Sequence, residues 1–298
     1  MREIIYQANL DDTLTLLNHC LSNQASSDVL SWLKNKQTQI FKEKSDSLYF
    51  MTFSAISSYF NKDILSLTKN ELNQANAIRK HWHLGNWSVA QAARAYLVLS
   101  FARYRLEHFE ETINKLFGAA DLHELIALYQ TLPLCPYPHR LLLHATNGIR
   151  SNMVSVFEAI ALNNPYPEDF FDEIAWNQLV LKALFVDSPI RQVVGLKRRA
   201  NPTLAKALIN TVQERSSANR AIKPEVWCLI GISIDKENWP LLKALTTSDS
   251  AVIQQGALLA CNHCPLPEAQ ALLNKSDERH ETMQNDLNKL TNFEQELI

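Results

Sequence analysis

Apolar positions along this chain recur with the period of a helix and not with the alternation of a strand. Between 88 and 104, Val89, Ala92, Ala93, Tyr96, Leu97, Phe101 and Tyr104 fall three and four residues apart. Ser88, three residues before Gln91, forms the start signal of that helix, because the pair can satisfy two backbone N–H groups that the first turn leaves without partners. Val29, Leu30, Leu33, Ile40 and Phe41 make a second stripe, and Met51, Ala55, Ile56, Tyr59 and Phe60 a third. Asp121 with Glu124 opens another helix, whose apolar side is Leu122, Leu125, Ile126 and Tyr129.

Chain breakers sharpen this pattern. All 11 prolines lie from Pro133 to Pro267, and the stretch before Pro133 holds only Gly85 and Gly118 as punctuation. Strands and tight hairpins need more turn residues than that, so the chain up to Leu132 is predicted to be mostly helical. From Pro133 onward the prolines mark helix starts. Asn201-Pro202 reads as a cap followed by a first helical residue, where the missing proline N–H costs nothing. Lys223-Pro224-Glu225, Trp239-Pro240 and Pro265/Pro267 open three more helices, giving short pieces at about 224–232, 238–246, 249–262 and 266–274. Short helices in close succession resemble HEAT-like pairs. The expected fold is all-α, a HEAT-like α-solenoid or irregular helical array, with an irregular bundle as the alternative. The chain is expected to form a single helical domain over 1–298. Within it, 1–119 supplies N-terminal helices, 120–232 the motif-bearing region, 233–274 the short helix pairs and 275–298 an amphipathic helix. Met283, Leu287, Leu290, Phe293 and Leu297 stripe that last helix. One such stripe over about three turns favours docking on its own body over a coiled coil.

Composition removes several classes of chemistry. The chain has six glycines, at 85, 118, 148, 195, 231 and 256, and even the nearest two, Gly231 and Gly256, are several helical turns apart in sequence. A P-loop, a dinucleotide fingerprint and a nucleophile elbow each need glycines within a few residues of one another, and all three are excluded. Hydrophobic residues make up 46% and charged residues 20%, enough apolar content for a packed core. The 29 basic and 31 acidic residues leave a net charge of −2, which argues against nucleic acid as a partner. The N-terminal stretch has no signal-peptide pattern. The apolar run Ala95–Ala102 is too short for a membrane span. Five scattered cysteines do not form a disulfide framework. A soluble cytoplasmic protein with no direct membrane span is expected.

Few clusters carry chemistry. Cys261-Asn262-His263-Cys264 has zinc-type ligands but no second pair at a suitable spacing, so the cysteines are read as buried structural residues and no metal is expected. His81 and His83 would point apart on a helix and are read as decoration of a helix end. No catalytic residue and no cofactor can be assigned. Charge is more informative. Residues 163–190 carry Glu168, Asp169, Asp172, Glu173 and Asp187 against one base, Lys182. Residues 191–223 carry Arg191, Lys197, Arg198, Arg199, Lys206, Arg215, Arg220 and Lys223 against one acid, Glu214. The acids near 168–173 follow Pro167 into a helix start, where the helix dipole favours them. Arg198-Arg199 beside the helix start at Asn201-Pro202 would make an anion site of guanidinium forks and backbone N–H groups. The simpler reading is a solvated basic face paired with the acidic helix. Asn177, Gln178 and Lys182 sit among Trp176, Leu179, Val180, Ala183 and Leu184, and Glu158 sits among Val156, Phe157, Ala159 and Ile160. Such groups need partners, and the arginines downstream are the expected ones.

These same segments carry a family resemblance. Arg150-Ser151-Asn152-Met153, Val156-Phe157-Glu158-Ala159 and Asn163-Asn164-Pro165-Tyr166-Pro167 resemble blocks of the EboA family. So do Ala175 to Phe185, Gly195 to Pro202 and Pro224-Glu225-Val226-Trp227, and all of them follow in the family's order. The weaker stretch Ala120 to Pro133 extends the likeness upstream, so that it is strongest over 120–230. Where the family usually has His-Glu-Arg-Trp and then Ala-Gly-Arg, this chain reads Gln213-Glu214-Arg215-Ser216 and Ala218-Asn219-Arg220. Cys228 stands where an arginine is typical. The resemblance implies a helical, HEAT-like protein encoded beside a prenyltransferase, a metal-dependent hydrolase and sugar-phosphate-type barrels, in a cluster associated with making or exporting a secondary metabolite. It brings no established reaction.

Together these readings favour a non-enzymatic adaptor or small-molecule carrier, with an anionic precursor and pathway enzymes of the same gene cluster as partners. The candidate groove comprises Arg150, Asn152, Glu158, Asn177, Gln178, Lys182, Arg198, Arg199, Glu214 and Arg215. One alternative is an enzyme using Glu158 or Glu214 with Lys182 as a buried acid–base pair. Another is a pure protein-interaction scaffold.

Overall fold

The computed structural model describes residues 8–276; the stripe from Met283 to Leu297 lies outside them. Sixteen α-helices and no strand occur among the described residues, in two compact units divided between Asp172 and Glu173. The first unit holds α1 (Leu10–Ser22), α2 (Ser27–Glu43), α3 (Asp46–Tyr59), α4 (Lys69–Ile78), α5 (Val89–Tyr104), α6 (Leu106–Ala119), α7 (Leu122–Thr131), α8 (Leu142–Arg150), α9 (Val154–Ala161) and α10 (Tyr166–Phe170). The second holds α11 (Glu173–Phe185), α12 (Pro202–Ser217), α13 (Pro224–Ser233), α14 (Trp239–Leu245), α15 (Ala251–Asn262) and α16 (Pro267–Ser276).

Helix starts form where the caps predict them. Ser88 accepts from the Gln91 N–H and the Gln91 side chain accepts from the Ser88 N–H, and Asp121 and Glu124 do the same for α7. Asn201 caps α12 with its Oδ1 2.8 Å from the Leu204 nitrogen. The prolines at 202, 224, 240 and 267 all stand in first turns.

Helix α5 is the centre of the first unit. It is buried around nearly its whole circumference, including Ala90, Ala92, Ala93, Ala95 and Ala102, and α1, α3, α6 and α7 pack on it. The small alanines let these neighbours approach closely. Even Arg94 is buried, with its Nε donating to the Phe53 carbonyl and its guanidinium 5.6 Å from the Phe53 ring centre. Burial pushes the Arg94 pKa down, and the nearby carboxylates of the α7 capping box, Glu124 and Asp121, hold it up. The single apolar face expected for this helix is therefore too narrow on most sides. On its open side it is too wide, since Tyr104 is 63% exposed.

Helix α3 is rotated from its expected face. Tyr49, Thr52, Phe53 and Ile56 are buried, whereas Met51 and Tyr59 are exposed. The helix has apolar residues on more than one side, so spacing alone could not choose between them. Tyr59 instead stacks on Trp32 of α2, with ring centres 3.9 Å apart.

In the second unit, α11 packs on α12, α12 on α13, α13 on α15, and α14 and α16 on α15. Helices α13 and α15 meet through glycines. A Cβ at Gly256 would overlap the Trp227 indole, and one at Gly231 would overlap the Ala260 carbonyl. Gly118, in α6, has open space around it.

These glycines separate in their expected behaviour. Gly256→Ala should lower the unfolding free energy by about 1–3 kcal/mol through overpacking. Gly118→Ala should raise it by about 0.5–1 kcal/mol through helix propensity. Chemical denaturation of both variants checks the pair, and equal effects would contradict the interlock.

Candidate functional site

The best-built polar assembly of the second unit joins α11 to the turn before α12. Gly195 takes a φ of 90°, the left-handed region in which a side chain would be strained, and the Arg199 N–H closes on its carbonyl at 2.9 Å. Asn201 then holds the turn in place. Its amide nitrogen donates to the Asn177 Oδ1 at 2.9 Å and to the Arg199 carbonyl at 3.1 Å. Its Oδ1 accepts from the Asn177 amide at 3.1 Å as well as from the Leu204 N–H. Asn177, 7% exposed, thus finds its partner in an asparagine and not in an arginine. The Arg199 guanidinium lies 5.0 Å from the ring centre of fully buried Trp176, a cation–π platform. Arg198 is exposed and Arg199 half-buried. The helix start beside them offers fewer N–H groups than a bare helix end. Pro202 has none, Asn201 takes that of Leu204, and the Ala205 N–H closes on the Asn201 carbonyl.

Other predicted residues of this unit do different work. Arg215 directs its donors to the carbonyls of Ala221 and Leu184 and to Asp187, at 3.0, 3.5 and 3.4 Å. Lys223 donates to the Asp187 carbonyl at 3.1 Å, and Arg191 pairs with Glu225 at 2.7 Å. Part of the basic run is thereby matched to acids, but the acids of these pairs are Asp187 in a turn and Glu225 on α13 and not those at 168–173. The space beside Arg215, Asp187 and Lys223 measures about 10 Å³, room for about one water. Gln178 and Glu214 are exposed, so neither is an embedded polar group, and Glu214 is no buried carboxylate. Lys182 is half-buried, and loss of solvent pulls its pKa below the usual lysine range.

In the first unit Arg150 and Asn152 are exposed at the end of α8 and in the turn that follows, and Glu158 is half-buried on α9. The block Asn163-Asn164-Pro165-Tyr166-Pro167 has a structural task. Asn163 is left-handed, with a φ of 51°, and buried Asn164 donates to the carbonyls of Tyr129 and Ala159 and accepts from the Tyr166 N–H. The Tyr166 hydroxyl donates to the Pro138 carbonyl. Gly148 sits inside α8, where a Cβ would come 2.6 Å from the Tyr129 ring. It permits close packing and bends nothing.

Two features escape the sequence pattern. Arg79 and Asp169, far apart in sequence, form a buried ion pair with side chains 5% and 9% exposed. Arg79 also donates to the Pro133 carbonyl from its Nε. His81-Trp82-His83 belongs to the loop after α4 and not to a helix end, with Trp82 buried and edge-on to Trp87. The second feature is a cavity of about 490 Å³ bounded by α1, α2 and α5. Gln37 and Phe41 bridge α2 to α5 through their side chains, Gln37 to the Ser100 hydroxyl at 3.0 Å and Phe41 to the Tyr104 ring at 4.2 Å. Long side chains hold the two helices apart and leave the cavity between them.

Cys261 and Cys264 are buried, and burial pushes the Cys261 thiol up to about 12. No group of three His, Cys, Asp or Glu side chains is placed to hold a metal ion among the described residues. No described helix is long and apolar enough to cross a membrane.

The family model described as metabolite traffic protein EboA matches residues 13–231 of this chain. No curated protein and no solved structure matches it.

The two buried polar locks give two stability predictions. Arg79→Met should cost about 3–5 kcal/mol by leaving Asp169 charged and buried, and adding Asp169→Leu should recover a large part of that. Asn201→Ala should cost about 2–3 kcal/mol, from the lost cap and the stranded Asn177 amide, and Asn201→Ser, which keeps a cap, should cost less. Urea denaturation of the four variants measures both.

Proposed function

The chain belongs to the EboA family, and on that premise we propose that it is a non-enzymatic helical carrier or adaptor in a secondary-metabolite pathway, taking an anionic precursor at the Arg198–Arg199 turn. The observation that carries this reading is the construction of that turn. Gly195 sets its bend, the Asn177–Asn201 amide pair locks it to α11, and Trp176 supports the Arg199 guanidinium from below. A guanidinium held like that of Arg199 binds phosphate or carboxylate by paired hydrogen bonds at little further ordering cost, and exposed Arg198 stands next to it. Phosphorylated and carboxylated precursors are the matching ligand class. The Thr203 N–H, which Asn201 leaves unengaged, adds one backbone donor at the α12 start.

The succession in this unit, α11 on α12, α12 on α13, and α13, α14 and α16 on α15, supports a HEAT-like array of short helices. Such an array suits an adaptor, since successive helices present a continuous surface to pathway enzymes. Arg215, Arg191 and Lys223 belong to its framework, because each is already matched to an acid.

Titration with inorganic pyrophosphate, monitored by calorimetry, tests the anion site. Arg198→Ala with Arg199→Ala should weaken binding about tenfold or more while the helical circular dichroism stays unchanged. Wild-type affinity in the double variant would overturn the reading. Native mass measurement of protein purified from its host identifies the precursor directly.

A further inference from the structure

We propose that the cavity between α1, α2 and α5 is a separate binding site for an amphipathic organic anion, a molecule with an aliphatic or aromatic body and a carboxylate or phosphate end. The volume, about 490 Å³, falls within the range of small-molecule pockets. Leu14 and Leu21 from α1, Leu30, Leu33 and Phe41 from α2, and Tyr104 from α5 line its apolar walls. Its polar part is concentrated in one place. Gln37 and Ser100 are buried and hydrogen-bonded to each other, and the Tyr96 phenol lies beside both. That cluster gives a ligand a fixed point for orientation, while the leucines impose no direction.

Charge selects the ligand class. The two charged residues in the lining are Lys34 and Arg103, both cations, and no carboxylate among the described residues lines the cavity. Lys34 is exposed on α2, with an ammonium able to turn toward the opening. Arg103 is held by Asp11 at 3.0 Å, and the two side chains are 50% and 66% exposed. A pair that open to solvent is weak, so an incoming anion can replace Asp11 at little cost. The cavity is thus positive at its mouth, apolar along its walls and polar at one inner point. A cationic or acid-free polar ligand would waste the two cations, and a purely apolar one would leave Gln37, Ser100 and Tyr96 facing hydrocarbon. This site lies wholly within the first unit, and the inference does not rest on the Arg198–Arg199 reading.

Fluorescence titration of the full chain with dansyl-undecanoate, which has an apolar body and one carboxylate, tests the proposal. Saturable binding of one probe per chain is expected, with the methyl ester of the probe binding about tenfold more weakly. Lys34→Gln with Arg103→Gln should weaken the carboxylate about tenfold and leave the ester unchanged. Asp11→Asn, which releases Arg103, should tighten the carboxylate about two- to threefold. Thr38→Trp, at an exposed lining position on α2, should block the cavity and abolish binding without loss of helical circular dichroism. Equal affinity for acid and ester, or unchanged binding in Thr38→Trp, would overturn the assignment. The Arg198→Ala with Arg199→Ala variant leaves this cavity's lining intact, and Lys34→Gln with Arg103→Gln leaves the Arg198–Arg199 turn intact, so the two readings fail separately.

Discussion

A helix without a polar side has to be covered on every side, and α5 imposes that condition on the whole first unit. Its alanines and leucines offer water little favourable contact, and α1, α3, α6 and α7 cover most of it, leaving its end at Arg103 and Tyr104 open. The condition reaches to electrostatics. Arg94 is carried into the interior with the rest of the helix, and the carboxylates that cap α7 lie close enough to stabilise its charge. It also explains the cavity. With other helices occupying most of α5, Gln37 and Phe41 reach it from α2, and the gap spanned by those side chains stays open.

The second unit is organised by close approach. Gly231 and Gly256 bring α13 and α15 together around Trp227, so the chain uses two of its six glycines where a side chain cannot fit. A third, Gly195, serves by conformation. The turn it begins is held by Asn201, which caps α12 and clasps Asn177 with the same side chain. Arginine placement therefore depends on residues that carry no charge themselves. Gly148, by contrast, shows that a glycine next to an arginine-bearing segment need not aim it, since the Tyr129 ring accounts for that position.

Particular residues mark the limits of reading the pattern. As helix caps, Ser88, Gln91, Asp121, Glu124 and Asn201 reach no more than four residues along the chain, and each cap forms as its spacing predicts. Spacing puts Met51, Tyr59 and Tyr104 on buried faces, yet they are exposed, because which side of an apolar helix is covered depends on its neighbours. The basic run suggests an arginine as the partner of Asn177, and the partner is an asparagine. The blocks shared with the EboA family divide in the same way. Asn164 and Tyr166 tie α9 and α10 to carbonyls of Tyr129, Ala159 and Pro138, which is structural work, while Arg198 and Arg199 stand on the framework that Asn201 supports.

The sequence by itself determined the all-helical class, the helix starts from Ser88 onward, the exclusion of glycine-loop chemistry and the family. The class, the helix starts and the exclusion follow from interactions within one helical turn or from composition, which need no knowledge of distant partners, and the family follows from its blocks standing in order along the chain. Only the tertiary structure decided the buried pairing of Arg79 with Asp169, the faces of α3 and α5, the pairing of Arg191 with Glu225 and of Arg215 with Asp187, and the cavity behind α2. Each of these depends on which segments meet across long stretches of chain. A helix repeats its periodicity whatever covers it, so periodicity carries no record of the partner.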